Sequence, residues 1–377
     1  MKRLWPLFIL VLFGVTGCGD YQKINERSQI IGIGVDPVPG RDDMLAFTLQ
    51  IPNLEKPASE NMNLGTDGRQ GGESQAYKNF YVEATSLQSA IARAQTTYDK
   101  SFFLGNMESI VLQSGLSEQA VMRVTEQMMR DESLDKLAVI VATPSSARSV
   151  LAANTSSPPA TYIESMWTRA IPQRGFTAPT RLWEFWRDAE LIGREPHMPL
   201  VESLDNSVKV GGTLTFQGYR PVGSLTPDDT VFYNLLAHDI HALALNIPDG
   251  DRSFEIKNAS SHSNFYVTND HGELTLHDVI HVSADLASSE GLGERPITNA
   301  ESERYEDAIE SYVKANARNV LKRLQENQTD IVGFGFWYMI KHPKAALLVR
   351  DHWSDMFSHA RLDVQAHCTI SREGNLI

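Results

Sequence analysis

Cysteine is nearly absent from this chain of 377 residues, which has only Cys18 and Cys368. That excludes a disulfide framework and any zinc site built on cysteine pairs. The fold must stand without crosslinks, which a chain of this length can do by burying apolar surface. Basic residues are also short: 34 Lys and Arg face 47 Asp and Glu, for a formal net charge of −13. Such a surface repels phosphate backbones and anionic headgroups, so nucleic acid is not expected as a partner and a basic patch is not expected as a membrane anchor. Beyond the first 17 residues no apolar run is long enough to span a bilayer, so membrane association has to come from another hydrophobic device.

Catalytic signatures are missing too. There is no Gly-x-Ser-x-Gly elbow and no Walker-type phosphate loop. Gly32-Ile33-Gly34 begins like a dinucleotide fingerprint, but Pro37 stands at the third glycine position and no helix opens there. His277-Asp278-Val279-Ile280-His281 has metal-like spacing only on a helix, and the surrounding alternation reads as strand. Two histidines four apart on a strand lie about 13 Å apart and cannot share an ion. His238 and His241, three apart near a helix end, read as surface or capping residues. The run Leu182-Trp183-Glu184-Phe185-Trp186 reads first as inter-helix packing, before sugar stacking or partner docking. No catalytic residue, cofactor or metal is assigned.

The N-terminus carries the one clear signal. Lys2 and Arg3 precede an apolar stretch over residues 4–15, which ends in Val15-Thr16-Gly17-Cys18. A short positive region, an apolar core of about twelve residues, two small residues and a cysteine make a bacterial lipoprotein signal. Residues 1–17 are therefore expected to be removed and Cys18 to carry diacylglycerol, with residues 18–29 as a tether. Cys368 is left unpaired; it lies in an alternating run with Leu362, Val364, Ala366 and Ile370 on its face and reads as a structural thiol.

The rest divides in two. Residues 30–198 alternate strand and helix patterns, interrupted by a polar, Pro- and Gly-rich mobile loop at 52–75, and give an α/β layered domain. Pro196 and Pro199 mark a break. Residues 199–377 begin with strands at 208–216 and 220–225, and Thr226-Pro227-Asp228-Asp229 opens a helix. Four extended runs follow between 240 and 286. A helix over 301–326 buries Tyr305, Ile309, Val313, Ala317, Val320 and Leu324. The fold class is thus mixed α/β (α+β) in two or three domains, with an N-terminal strand–helix layer and a C-terminal, largely antiparallel sheet carrying a long helix.

Several segments, in order, resemble one family. These are Cys18-Gly19-Asp20; Ile30 to Asp36, ending in Gly-x-Asp; Leu104-Gly105-Asn106-Met107-Glu108-Ser109-Ile110-Val111-Leu112; Gly212-Thr213-Leu214-Thr215-Phe216; and Asp330-Ile331-Val332-Gly333-Phe334-Gly335, with Pro343 and Trp353 downstream. Read end to end, the chain is similar to the Ger(x)C family, the lipoprotein C subunits of spore germinant receptors. The resemblance implies a non-enzymatic subunit, lipid-anchored through Cys18 on the outer face of the spore inner membrane. Its partners would be the integral membrane A and B subunits of a nutrient receptor. The competing reading is a stand-alone extracytoplasmic lipoprotein, either a solute-binding protein or a hydrolase, which requires a cleft with convergent polar groups.

Overall fold

The computed structural model describes residues 27–53, 76–170, 175–205, 207–237, 240–250, 252–289 and 298–371. Cys18, the signal segment 1–17, most of the tether, residues 54–75 of the expected loop and His238 lie outside the described residues.

The chain enters through β1 (Arg27–Gln29) and an antiparallel meander of β2 (Gly32–Pro37), β3 (Leu45–Pro52) and β4 (Tyr77–Ala84). Helix α1 (Leu87–Gln95) leads to β5 (Ser101–Phe103), which pairs with β1, and then to β6 (Ser109–Gln113). Helix α2 (Glu118–Arg130), capped by Ser117 as its sequence predicts, returns to β7 (Val139–Thr143). Short helices α3 (Ala147–Val150) and α4 (Pro159–Ser165) follow, then α5 (Leu182–Glu190) and β8 (His197–Leu204). With β9 (Ser207–Gln217) and β10 (Arg220–Leu225) these strands make one eight-stranded sheet in the order β10-β9-β8-β7-β6-β2-β3-β4. Strands β2, β6, β7 and β8 are mutually parallel.

Alternation along β2 sorts its side chains between two layers. Ile33 and Val35 face a core built with α1, α2 and α5, where Leu87, Val121, Val124 and Phe185 are buried. Gly32 and Gly34 face α3 and α4 on the other side. A Cβ on Gly32 would come within 2.6 Å of the Ala160 Cβ, so the glycine pair serves close helix–sheet packing. Asp36, at the end of β2, accepts the backbone N–H groups of Ala147 (2.7 Å) and Arg148 (3.0 Å) and so caps α3.

The sheet continues through the break read at Pro196 and Pro199: the position between residues 198 and 199 lies inside β8. Proline lacks the ladder donor, which fits the single pairing of β8 with β7, at Ala142–Leu200. On its other side β8 pairs with β9 along its whole length.

Helix α6 (Pro227–Ala237) begins with the expected Thr226–Asp229 cap. A four-stranded sheet follows from β11 (Ile240–Asp249), β12 (Arg252–Asp270), β13 (Glu273–Ser289) and β14 (Arg361–Ser371), in that order, antiparallel except for β13–β14. Three strands stand where the pattern suggests four runs. β12 is a single long strand whose register shifts between Lys257 and Ser260, and Asn258 there has φ +52°, which breaks the alternation. Helix α7 (Asn299–Glu326), with a Thr298–Glu301 capping box, buries the expected Tyr305–Leu324 stripe. Helices α8 (Phe334–Lys341) and α9 (Ala346–His359) complete the second half.

Candidate functional site

The Asp330 segment forms the joint between the two sheets. After α7, Gln328 takes φ +52° and Thr329 Oγ1 donates to the Phe216 carbonyl on β9. Asp330 is 1% exposed. One of its carboxylate oxygens accepts the Gly333 N–H (2.8 Å); the other accepts the Gly335 N–H (2.9 Å) and the Trp353 Nε1–H (2.9 Å). Burial raises its pKa while these donors, favouring the charged form, pull it back. Gly333 has φ +94°, and a Cβ on Gly335 would meet the Trp353 ring at 2.4 Å, so both glycines are required by the turn.

The same turn is bonded to the segment that enters β8. Glu195 N–H donates to the Asp330 carbonyl (3.0 Å), and Phe336 N–H donates to the Gly193 carbonyl (2.7 Å). Tyr233 Oη donates to the Ile331 carbonyl (3.3 Å), and Arg194 packs on Gly333 while its guanidinium faces Asp188. Gly193, at φ +78°, lies so close that a Cβ would meet the Gly335 carbonyl carbon at 2.5 Å. Glu195 accepts the Gly218 N–H (2.6 Å); desolvation, with the Asp330 charge nearby, pushes its pKa up to about 7. Beside it opens a cleft of about 470 Å³, lined in part by Glu190, Glu195, Asp351, His352 and Asp355. It gathers acids, with Arg350 and Ser354 also on its wall. Among the described residues, no three ligating side chains converge on a metal position.

The other residues singled out in the sequence go elsewhere. His241 is exposed at the start of β11. On β13, His277 and His281 lie on one face and do not meet. His277 bonds Asp363 and Thr268, both at 2.9 Å, and stacks on Tyr266; His281 stacks on His367, with ring centroids 5.4 Å apart. The register places His262, His281 and His367 in one cross-strand row, a neighbourhood that linear spacing cannot reveal. Cys368 is half-buried, and burial with Glu306 and Glu310 nearby pushes its thiol up to about 12. In α5, Phe185 packs edge-on against Phe216 and Tyr219, while Arg187 covers Trp183, so this helix serves the core. Sequence reading missed Asp278. It shares the apolar face of β13 with Leu276 and Ile280, is fully buried, and keeps one bond, from Ser263 (2.6 Å). Desolvation raises its pKa to about 7. An acid on the apolar face of an alternating strand was the available signal.

Comparison with known proteins covers both halves. Residues 20–203 match the model of the spore germination protein N-terminal domain, and residues 211–374 match that of the spore germination B3/GerAC-like C-terminal domain. The chain is similar to spore germination protein YndF of Bacillus subtilis (strain 168), at 22% identity over 100% of this chain and 98% of the relative. It is similar to spore germination protein GerQC of Bacillus cereus, at 18% identity over 99% of each, and to spore germination protein B3 of Bacillus subtilis (strain 168), at 20% identity over 94% and 93%. Among solved structures, that of the GerBC protein superposes with a TM-score of 0.54 at 19% identity, covering 90% of this chain and 96% of that one. With both family models placed in order along it, and the Asp-x-x-Gly-x-Gly turn realised as the buried joint, the chain belongs to the Ger(x)C family of spore germination proteins.

Proposed function

We propose that this chain is the lipoprotein C subunit of a nutrient germinant receptor, required for spore germination. It acts without catalysis, by protein–protein contact at the outer face of the spore inner membrane, beside integral A and B subunits. The observation that carries this reading is the end-to-end family match, with one germination-protein model over residues 20–203 and the other over residues 211–374. Diacylglycerol on Cys18 is the anchor, assigned on Val15-Thr16-Gly17-Cys18. Two acyl chains hold a protein on a bilayer, whereas one does so only marginally. Confinement to the surface raises the effective concentration of the body toward its partners, so a modest interface suffices. No helix among the described residues is long and apolar enough to cross a membrane.

The test is a germination assay on spores carrying Cys18→Ala, with membrane fractionation alongside. Release of the protein together with loss of nutrient response is expected. Release with a normal response to every nutrient would sink the receptor-subunit reading and return attention to solute binding or hydrolysis by the soluble body.

A further inference from the structure

We propose that the folded body also rests on the lipid bilayer itself, through the outer face of the α8–α9 hairpin. This builds on the lipidated Cys18 of the proposed function. Trp337, Ile340, Leu347 and Leu348 stand 43–65% exposed on this hairpin, and Leu347 is the most exposed large apolar side chain among the described residues. The inward sides of the same helices are already filled, by Phe334, Tyr338, Val349 and Trp353. Large apolar groups clustered in water mark a contact surface.

Charge selects the occupant. The chain carries 47 acidic residues, yet residues 331–349 contain none, while Lys341 and Lys344 fall within that stretch; Arg350, next along, is paired with Asp351. Lys341, at the end of α8, and Lys344, between the two helices, are exposed. Tryptophan and aliphatic side chains rimmed by lysines, in a locally cationic segment of an acidic protein, match the interface of an anionic bilayer. Lysine stems lie along the apolar layer while their ammonium groups reach lipid phosphates.

Topology puts this face where the anchor is. Because β2, β6, β7 and β8 are parallel, they all start at one edge of the large sheet. The tether enters at that edge through Arg27, just ahead of β2. The α8 turn is fastened there too, by the Phe336–Gly193 and Glu195–Asp330 bonds at the start of β8. Between them, along the same edge, stand Phe103 of β5, 39% exposed, and Leu137, 57% exposed, two residues before β7. Strands β2 and β8 are three places apart, about 15 Å. The nine residues from Cys18 to Arg27 span at most about 30 Å, so acyl chains on Cys18 lie within tether reach of that end of the sheet.

The experiment uses the full chain with Cys368→Ser, acylated at Cys18, carrying a nitroxide at Leu347→Cys and reconstituted into vesicles of mixed neutral and anionic phospholipid. Collision rates with oxygen and with a water-soluble nickel chelate are compared with those of a label at Met122→Cys on α2, and Trp337→Cys serves as a second reporter. The oxygen-to-chelate ratio is expected to be several-fold higher at 347 and 337 than at 122, and to rise with the anionic lipid fraction. Equal ratios at all three sites overturn the proposal. So does a label at 347 that stays aqueous in pure lipid and is shielded only in membranes holding the integral subunits, which makes the occupant a protein. Mass analysis of the N-terminal peptide reads the anchor separately: an acylated Cys18 with an aqueous 347 defeats this proposal alone, whereas a bare Cys18 with a lipid-exposed 347 defeats the anchor alone.

Discussion

Two kinds of buried acid, used oppositely, dominate at the scale of single residues. Asp330 is surrounded by donors, and its replacement strands three buried N–H groups. Each such group costs about 1–3 kcal/mol, so Asp330→Ala is expected to lower unfolding stability by roughly 3 kcal/mol or more, and Asp330→Asn by less, because an amide oxygen still accepts. Chemical denaturation of the three proteins checks this; a loss under about 1 kcal/mol for the alanine variant would contradict the role given to the joint. Glu195 and Asp278 instead stand in surroundings that favour the neutral acid, with pKa values raised from 4.5 and 3.8 to about 7. Between the ordinary and the raised values the folded state holds protons that the unfolded chain has released, so stability falls as pH rises from about 4 to 7 and stays low above that. Melting curves should therefore show a protein less stable at pH 8 than at pH 5. Asp278→Asn should flatten that slope and raise stability at pH 8, and an unchanged slope in both Asp278→Asn and Glu195→Gln would count against the assignment.

Local elements were legible where one pattern governs one layer. The α7 stripe, the Ser117 and Thr226 caps and the alternation of β14 appear in the structure as their spacing says, since periodicity and capping are local physics. The Asp36 cap is different: its helix begins at Ala147, 111 residues later, and only the fold reveals the pair. Asp36→Ala is expected to cost about 0.5–2 kcal/mol by stripping the α3 N-terminus, read as a lower denaturation midpoint with an unchanged slope. An unchanged midpoint would show that the Ser146 hydroxyl, which already accepts from Ser149, caps the turn alone. Strand β8 was hidden because Pro199 erases the strand signature, although its neighbour β9 satisfies it from the other side. Of the candidate site, the Asp330 turn could be recognised as a motif, but its partners Gly193, Glu195 and Trp353 come from distant segments, and the His262–His281–His367 row exists only in register.

At the scale of the whole molecule the two sheets are bonded into one body. Gly193, Glu195 and Phe216 contact the Asp330 turn, and Gln217 reaches Ser354 on α9 at 3.1 Å. Backbone signal and tryptophan fluorescence are therefore expected to report one coincident unfolding transition. Gly193→Ala, whose Cβ collides with the Gly335 backbone at a positive φ, should separate the two signals. Coincident curves in that variant, at undiminished stability, would show that the halves are held together elsewhere.

The place of β2 in the large sheet carries a mechanical consequence. It lies between β6 and β3, and with the proposed anchor on Cys18 a pull on the tether would reach its leading end through β1. A force along the strand axis shears the hydrogen bonds of both ladders simultaneously, so they share the load and do not open one by one like a zipper. An anchored body drawn by a moving or swelling bilayer would thus be gripped at an interior strand of the large sheet, and the pull would spread through the sheet to the joint at Asp330.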